Sequence, residues 1–401
     1  MSEAPPVERV LQVHTRYRHA GGEDQVVEAE RRLLEEAGLD VRQVIFDNAE
    51  LRESRSPVGD LRLAASAIWS RAAQRRVRQA VATHRPHVMH VHNTYAAASP
   101  SVYAAATARG VPVVQTLHNY RMVCPAATLF RDGHACTDCV GRSLAWPAIA
   151  HGCVRGSRAQ SAVASATIGI HRALRTFSQI GTYVALTSFQ RQMMVDGGLP
   201  ASQIRVIPNF LEPDPGAGDG PRAGVLYVGR LSEEKGISAL LGAAALEPRI
   251  VRIAGGGPMA PLVEQEAARG HAEYLGPIAA STVFDEMRRA VAVVTPSICF
   301  EGFPVVVVEA YATSTPVIAS RIGSLAEIVE DGVTGLLAEP GDDLDLANRV
   351  RWAVDHPHEM LQMGANARNR YETRYGGASH LAALLDTYQA PSARSRSVAS
   401  A

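Results

Sequence analysis

Two pairs of side chains in the second half of the chain have the types and spacing needed to hold an anion beside a polyol. The first pair is Arg230 and Lys235, which bracket the turn Gly229-Arg-Leu-Ser-Glu-Glu-Lys-Gly236. Two cations at a strand-to-helix turn suit a diphosphate. Lys235 is also the only lysine in the chain, the other 39 of the 40 basic residues (40 − 1) being arginine. An ammonium is a compact point charge and a guanidinium a planar fork, so this position is a candidate point-charge contact. The alternative is a surface salt-bridge turn. The second pair is Glu301 and Glu309, eight positions apart in Ser297-Ile-Cys-Phe-Glu-Gly-Phe-Pro-Val-Val-Val-Val-Glu-Ala-Tyr-Ala312. Gly302, Phe303 and Pro304 read as a loop entering a helix, where proline's missing N–H costs little. Eight residues is about two helical turns. Glu301 would then stand at the helix mouth, within reach of sugar hydroxyls, with Glu309 inside, able to grip a ribose diol. The alternative is a buried helix with two solvated glutamates, and the four valines favour a strand on propensity.

The first half offers weaker signals of the same kind. Strand Arg9–His14 is followed by Gly21-Gly22 and a charged amphipathic segment from Asp24 to Ala37. A glycine turn at a helix start allows close approach of a phosphate or an acceptor, or is simply a tight turn. Val88–His92 and Val111–Leu117 read as strands, with Asn93-Thr94-Tyr95 and His118-Asn119 at their carboxyl ends. Ligands of open α/β sheets bind beyond those ends. His118 is therefore a candidate for contact with a sugar or its anomeric centre, against a structural strand-end histidine. Ile204–Ile207 and Pro208-Asn209 close this half, with Asn209 a weak candidate.

Cys124, Cys136, Cys139 and Cys153 fall within 30 residues, two of them as C-x-x-C. Four thiols have the ligand number of a structural zinc knuckle, but the C-x11-C and C-x13-C spacings do not repeat the tight pair. Zinc, free thiols and a disulfide all stay open. A catalytic metal is not expected, because no open three-ligand set with a nearby base is evident.

The elements that must carry these residues alternate strand and helix through both halves, which predicts two doubly wound α/β domains. The length exceeds one ordinary core. Glu212 to Arg222, rich in Pro and Gly, reads as the hinge. The expected boundaries are 1–212, with a cysteine-rich insertion over about 120–157; 213–370; a helix crossing back over 371–390; and a disordered tail over 391–401. Lys+Arg and Asp+Glu are both 40, so no global field favours a nucleic acid or a membrane. No apolar run spans a bilayer and the first residues lack a secretion signal, so a cytoplasmic location is expected. Arg71, Arg75, Arg76, Arg78 and Arg85 form a basic stretch that suits either peripheral membrane contact or, more simply, a solvated helix face.

The combination Arg230, Lys235, Glu301 and Glu309, in that order, resembles the retaining, nucleotide-sugar-dependent glycosyltransferases of family four, whose motif is Glu-x7-Glu. The resemblance runs over roughly residues 8–389. It implies the GT-B fold, two Rossmann-like domains facing across a crevice, and transfer of a sugar from a nucleotide diphosphate to a hydroxyl acceptor. It implies donor contacts at Gly22, Asn209, Gly229, Gly302, Phe303, Pro304 and Glu309. The reacting centre would lie among His118, Glu301, Arg230 and Lys235, with no cofactor required. A non-hydrolysing nucleotide-sugar epimerase, a phosphorylase with Lys235 as its Schiff-base lysine, and a non-catalytic sugar-nucleotide-binding subunit share the architecture.

Overall fold

Val10, Leu11 and Val13 have no exposed surface, which makes Arg9–Arg16 (β1) a strand buried on both faces, as parallel sheets require. The computed structural model describes residues 7–16, 21–50, 57–248 and 250–399, and it divides into two units. The first unit adds β2 (Asp40–Asp47), β3 (Val88–Val91) and β4 (Val113–Thr116). A two-residue-per-strand hairpin follows, β5 (Phe130–Arg131) and β6 (His134–Ala135), and then β7 (Thr182–Ala185) and β8 (Ile204–Val206). The sheet order is β2-β1-β3-β4-β7-β8, parallel throughout. Val10, Val88, Val114 and Val184 pack with Leu34 of the first helix and with Leu384 and Tyr388 of the last.

The second unit repeats the scheme with β9 (Val225–Val228), β10 (Val251–Ala254), β11 (Ala272–Gly276), β12 (Ala292–Thr295), β13 (Val317–Ser320) and β14 (Gly335–Ala338). Its order is β11-β10-β9-β12-β13-β14, again all parallel. The expected pair of doubly wound domains is therefore present. Val305–Ala312 is a helix despite its four valines. Val307, Val308, Ala310 and Tyr311 are fully buried there, and that burial outweighs the small propensity penalty of β-branched residues.

The boundaries differ from those expected. The first unit comprises residues 1–128, 137–208 and 380–401, the second 129–136 and 209–379. The chain passes between them at Pro208-Asn209 rather than at residue 212. Residues 371–379 stay with the second unit because Tyr375 meets Phe303 at 5.9 Å and Tyr311 at 6.4 Å. The last helix, Gly377–Ala399, runs through most of the stretch expected to be disordered. Its amphipathic first half supplies the nucleus, and adding residues to a formed helix costs little. Residues 400 and 401 of that stretch lie outside the described residues.

The four clustered cysteines are free thiols. Cys136 belongs to the hairpin grouped with the second unit, the other three to the first. Cys139 packs near Cys153 with Ala145 and Ala148 in a small apolar cluster. Among the described residues no three of these thiols come within metal-binding reach of one another. The segment is braced instead by Arg172, whose guanidinium donates to the carbonyls of Met122, Arg142 and Gly197, each at 2.9 Å. Backbone carbonyls that would otherwise be unpaired are satisfied by one side chain, and no ion is needed for that. The basic stretch is the helix Arg71–His84, with Ala73, Val77, Ala80 and Val81 buried and its arginines outward.

Candidate functional site

In the second unit the carboxyl ends of β9 and β12 bring the phosphate-clamp candidates together. After β9 the chain turns through Gly229 and reaches Lys235 at the end of a single helical turn. Gly236 closes it with φ 72°, and a Cβ there would lie 1.8 Å from the carbonyl oxygen of Pro296, which follows β12. Only glycine permits both that conformation and that approach. The approach seats Lys235 beside the β12 loop. Its Nζ donates to Glu301 Oε1 at 2.6 Å, and Ser297 Oγ donates to the same oxygen at 2.6 Å. Lys235 keeps 30% of its side chain exposed. Burial works against its charge, but the Glu301 carboxylate outweighs this and holds its pKa above the ordinary lysine value. Cys299, two residues from Glu301, is pushed well up by burial and by that carboxylate.

Arg230 is turned elsewhere. It pairs with Glu234, which also accepts from Ser232 Oγ at 2.8 Å, and its side chain is 65% exposed. Tyr227 fixes the turn by donating to the Arg230 carbonyl at 2.8 Å. Thus the structure joins Lys235 to Glu301 directly and leaves Arg230 paired with Glu234 and Ser232 on the exposed side of the same turn. Gly302, Phe303 and Pro304 link Glu301 to the helix Val305–Ala312, with Pro304 the residue just before it. Glu309 is in that helix, half-buried. Burial raises its pKa to about 7, and its carboxyl has neither an ion pair nor a hydrogen bond among the described residues. Asn209 is buried where the chain enters this unit.

The first unit collects polar groups at the carboxyl ends of β1, β3 and β4. His14 Nε2 contacts Asp24 Oδ1 at 2.8 Å. Asp24 Oδ2 accepts from the Gly21 N–H at 3.0 Å and so caps the helix Gly22–Glu36. Gly22 is that helix's first residue. Glu23 lies beside it, 3.8 Å from His14 Nδ1. Burial and then the Asp24 charge raise its pKa to about 8, against the pull of Arg121, Asn119 and Asn93. His118 lines a recess together with His92, Asn93, Tyr95, Asn119 and Arg121. Arg121 lies over the Tyr95 ring at 3.7 Å, a cation–π contact. Burial, and next the neighbouring His92, hold His118 neutral, well below the usual imidazole range.

Sequence reasoning did not find Glu23, His14, His92 or Glu30. Signals for the last two exist. His90 and His92 are two apart on a strand and share a face. Glu30 sits in the buried stripe of its helix with Val26, Val27 and Leu34, and a carboxylate at an apolar-face position announces an internal partner.

Comparison with known proteins agrees with this architecture. Residues 21–209 match the family model "Glycosyl transferase 4-like domain", and residues 215–370 match "Glycosyl transferases group 1". D-inositol 3-phosphate glycosyltransferase 2 of Catenulispora acidiphila is 34% identical over 182 residues, covering 41% of this chain and 42% of that protein. Glycogen synthase of Mycobacterium tuberculosis is 34% identical over 208 residues, covering 47% and 49%. The chain thus spans less than half the length of these curated relatives. The crystal structure of Anabaena Alr3699/HepE in complex with UDP and glucose superposes with a TM-score of 0.66 at 18% identity, over 95% of this chain and 99% of that one. The fold is accordingly GT-B, and with two adjoining glycosyltransferase models accounting for nearly the whole chain, it belongs to the family-four-like glycosyltransferases.

Proposed function

We propose that the chain transfers a sugar from a nucleotide diphosphate to a hydroxyl acceptor with retention of anomeric configuration. The observation that carries this reading is the Lys235–Glu301 contact of 2.6 Å at the carboxyl ends of β9 and β12, beside the amino end of the helix Val305–Ala312. In this reading Lys235 and the helix end stabilise the charge that develops on the leaving diphosphate, where a fixed ammonium is worth most. Arg230 adds a second cation by exchanging Glu234 for phosphate. Glu301 holds sugar hydroxyls while its partner Ser297 keeps it oriented. Glu309, half-buried and without an internal partner among the described residues, accepts from the ribose diol. His118 contacts a sugar hydroxyl. The leaving phosphate takes the acceptor's proton, so no side-chain nucleophile is required. The UDP complex of the Anabaena structure makes uridine diphosphate the first donor nucleotide to test.

The experiment is a thermal-shift screen of nucleotide diphosphates and their sugars, followed by donor hydrolysis with wild type and Lys235→Ala. Stabilisation by one nucleotide series and loss of hydrolysis by about 100-fold or more in the variant are expected, the scale of losing one preorganised charge stabiliser. Hydrolysis at near wild-type rate in a folded Lys235→Ala protein refutes the clamp.

A further inference from the structure

Beneath the recess that holds His118, the first unit buries a carboxylate that the reading above does not use. Glu30 is 2% exposed and faces inward from the helix Gly22–Glu36. Gln12 Nε2 donates to its Oε1 at 2.9 Å. His90 Nδ1 lies 3.0 Å and His92 Nε2 3.3 Å from the same oxygen, and His380 Nε2 lies 3.4 Å from the other. Burial alone would push this carboxyl towards neutrality, but His90, His92 and His380 outweigh it and keep it ionised, well below its ordinary value. His92 continues outward: its Nδ1 is 3.0 Å from His118 Nε2. The two rings are stacked, with centroids 5.3 Å apart.

The proton order along this row follows from charge. His92 is neutral, because burial and then His90 depress its pKa to about 4. It therefore carries one ring proton. Placed on Nδ1, that proton would leave the bare lone pair of Nε2 facing an anion at 3.3 Å. Placed on Nε2, it lies on the side of the carboxylate, 3.3 Å from its oxygen and off the hydrogen-bond axis, where a positive edge is favoured over a lone pair. Nδ1 is then an acceptor, and it can only accept from His118 if Nε2 of His118 carries the proton. The Nδ1 lone pair of His118 is left bare.

We infer that Glu30 is a positioning residue which, through His92, fixes His118 in the tautomer with Nε2 protonated and Nδ1 free to accept a hydrogen bond from a donor-sugar hydroxyl. The contact to sugar rests on the role of His118 proposed above; the tautomer does not. A ligand whose ring orientation and proton are set by a partner behind it loses about 10–100-fold in activity when that partner is removed, as at metal-bound imidazoles.

The test is the ¹⁵N-edited spectrum of the imidazoles in the uniformly labelled full chain, with His118 assigned by difference against His118→Gln. In wild type, a pyrrole-type Nε2 and an unprotonated Nδ1 on His118 are expected. A proton on Nδ1 overturns the inference. In Glu30→Met, which keeps the volume and removes charge and acceptor, a mixture of His118 tautomers is expected, with kcat lowered about 10-fold or more and the donor KM little changed. An unchanged single tautomer in that variant overturns the role of Glu30. Should Glu30→Met not fold, the wild-type spectrum decides alone. Full transfer activity in His118→Ala would instead remove the proposed sugar contact and leave the tautomer assignment standing, so the two failures are distinguishable.

Discussion

Replacing Gly236 by alanine should do more damage than its conformation alone explains, and the excess can be measured. Gly236 has φ 72°, and an added Cβ would sit 1.8 Å from the Pro296 carbonyl oxygen. Real Cβ contacts are essentially never under 3.0 Å, so the turn must move by at least about 1.2 Å (3.0 − 1.8). Gly270 supplies the control: φ is 80° and nothing lies within 4 Å of its Cβ position. Both variants bear the left-handed penalty of roughly 1–2 kcal/mol. Only Gly236→Ala adds the overlap, which costs roughly 1–3 kcal/mol to relieve. Moving the turn also moves Lys235, one residue away, off the oxygen it holds at 2.6 Å. A misplacement of about 1 Å at a reacting site can cost about 100-fold in rate. Parallel melting curves and donor-hydrolysis kinetics on the two variants provide the assay. Gly236→Ala should melt lower by several degrees more than Gly270→Ala, at about 2–4 °C per kcal/mol, and should lose most of its turnover while Gly270→Ala keeps it. Equal melting and equal turnover would refute the claim that this close approach seats the lysine.

Three further outcomes follow from side chains already described. Glu309 has its carboxyl pKa raised to about 7 by burial, so the native state holds a proton that the unfolded chain has released. Its contribution to stability therefore falls as pH rises from about 4.5 to about 7, and Glu309→Gln should flatten that slope in a pH series of melting curves. Because a diol binds the ionised form, donor KM should fall as pH rises through 7 in wild type and stay level in the variant. Arg172→Ala leaves three carbonyls without their donor and should cost about 3 kcal/mol, with limited proteolysis accelerated between residues 120 and 157; an unchanged digestion pattern would count against the brace. Chelator treatment should leave both melting temperature and transfer unaltered, and metal analysis should find less than one zinc per chain, since the cysteines are not gathered; a chelator-induced fall in melting temperature would restore the zinc knuckle.

Much of the architecture was legible because parallel sheets write themselves as short apolar runs separated by helices, and both halves do so. Lys235 stood out for a compositional reason: one ammonium survives among guanidinia, and it sits on the turn after β9. The partners of these groups were not legible. Arg230 and Glu234 are four residues apart and could be guessed, but Lys235 and Glu301 are 66 apart and meet only because β9 and β12 are neighbours in the sheet. The valine run at 305–308 favours a strand on propensity, yet the helix expected after Gly302-Phe303-Pro304 forms, because burial decides the outcome. For the cysteines the ligand count was visible and the chain path was not, so zinc, free thiols and a disulfide could not be told apart. Glu30 lay hidden for the opposite reason: in a segment where charges and apolar residues alternate, nothing local distinguishes an inward carboxylate from the solvated ones beside it.

The last helix places Leu384 and Tyr388 in the core of the first unit, and Tyr388 OH contacts His90 Nδ1 at 2.8 Å. During synthesis those residues leave the ribosome after the whole of the second unit. The first unit therefore lacks part of its interior until residues 209–379 have also been made. The second unit, apart from its hairpin, is continuous in sequence and has all its strands by residue 338. The nascent chain therefore completes its later-coded half first. A fragment ending near residue 208 would expose the apolar face that the final helix covers and would be expected to aggregate, whereas residues 209–379 form the more promising piece for separate expression.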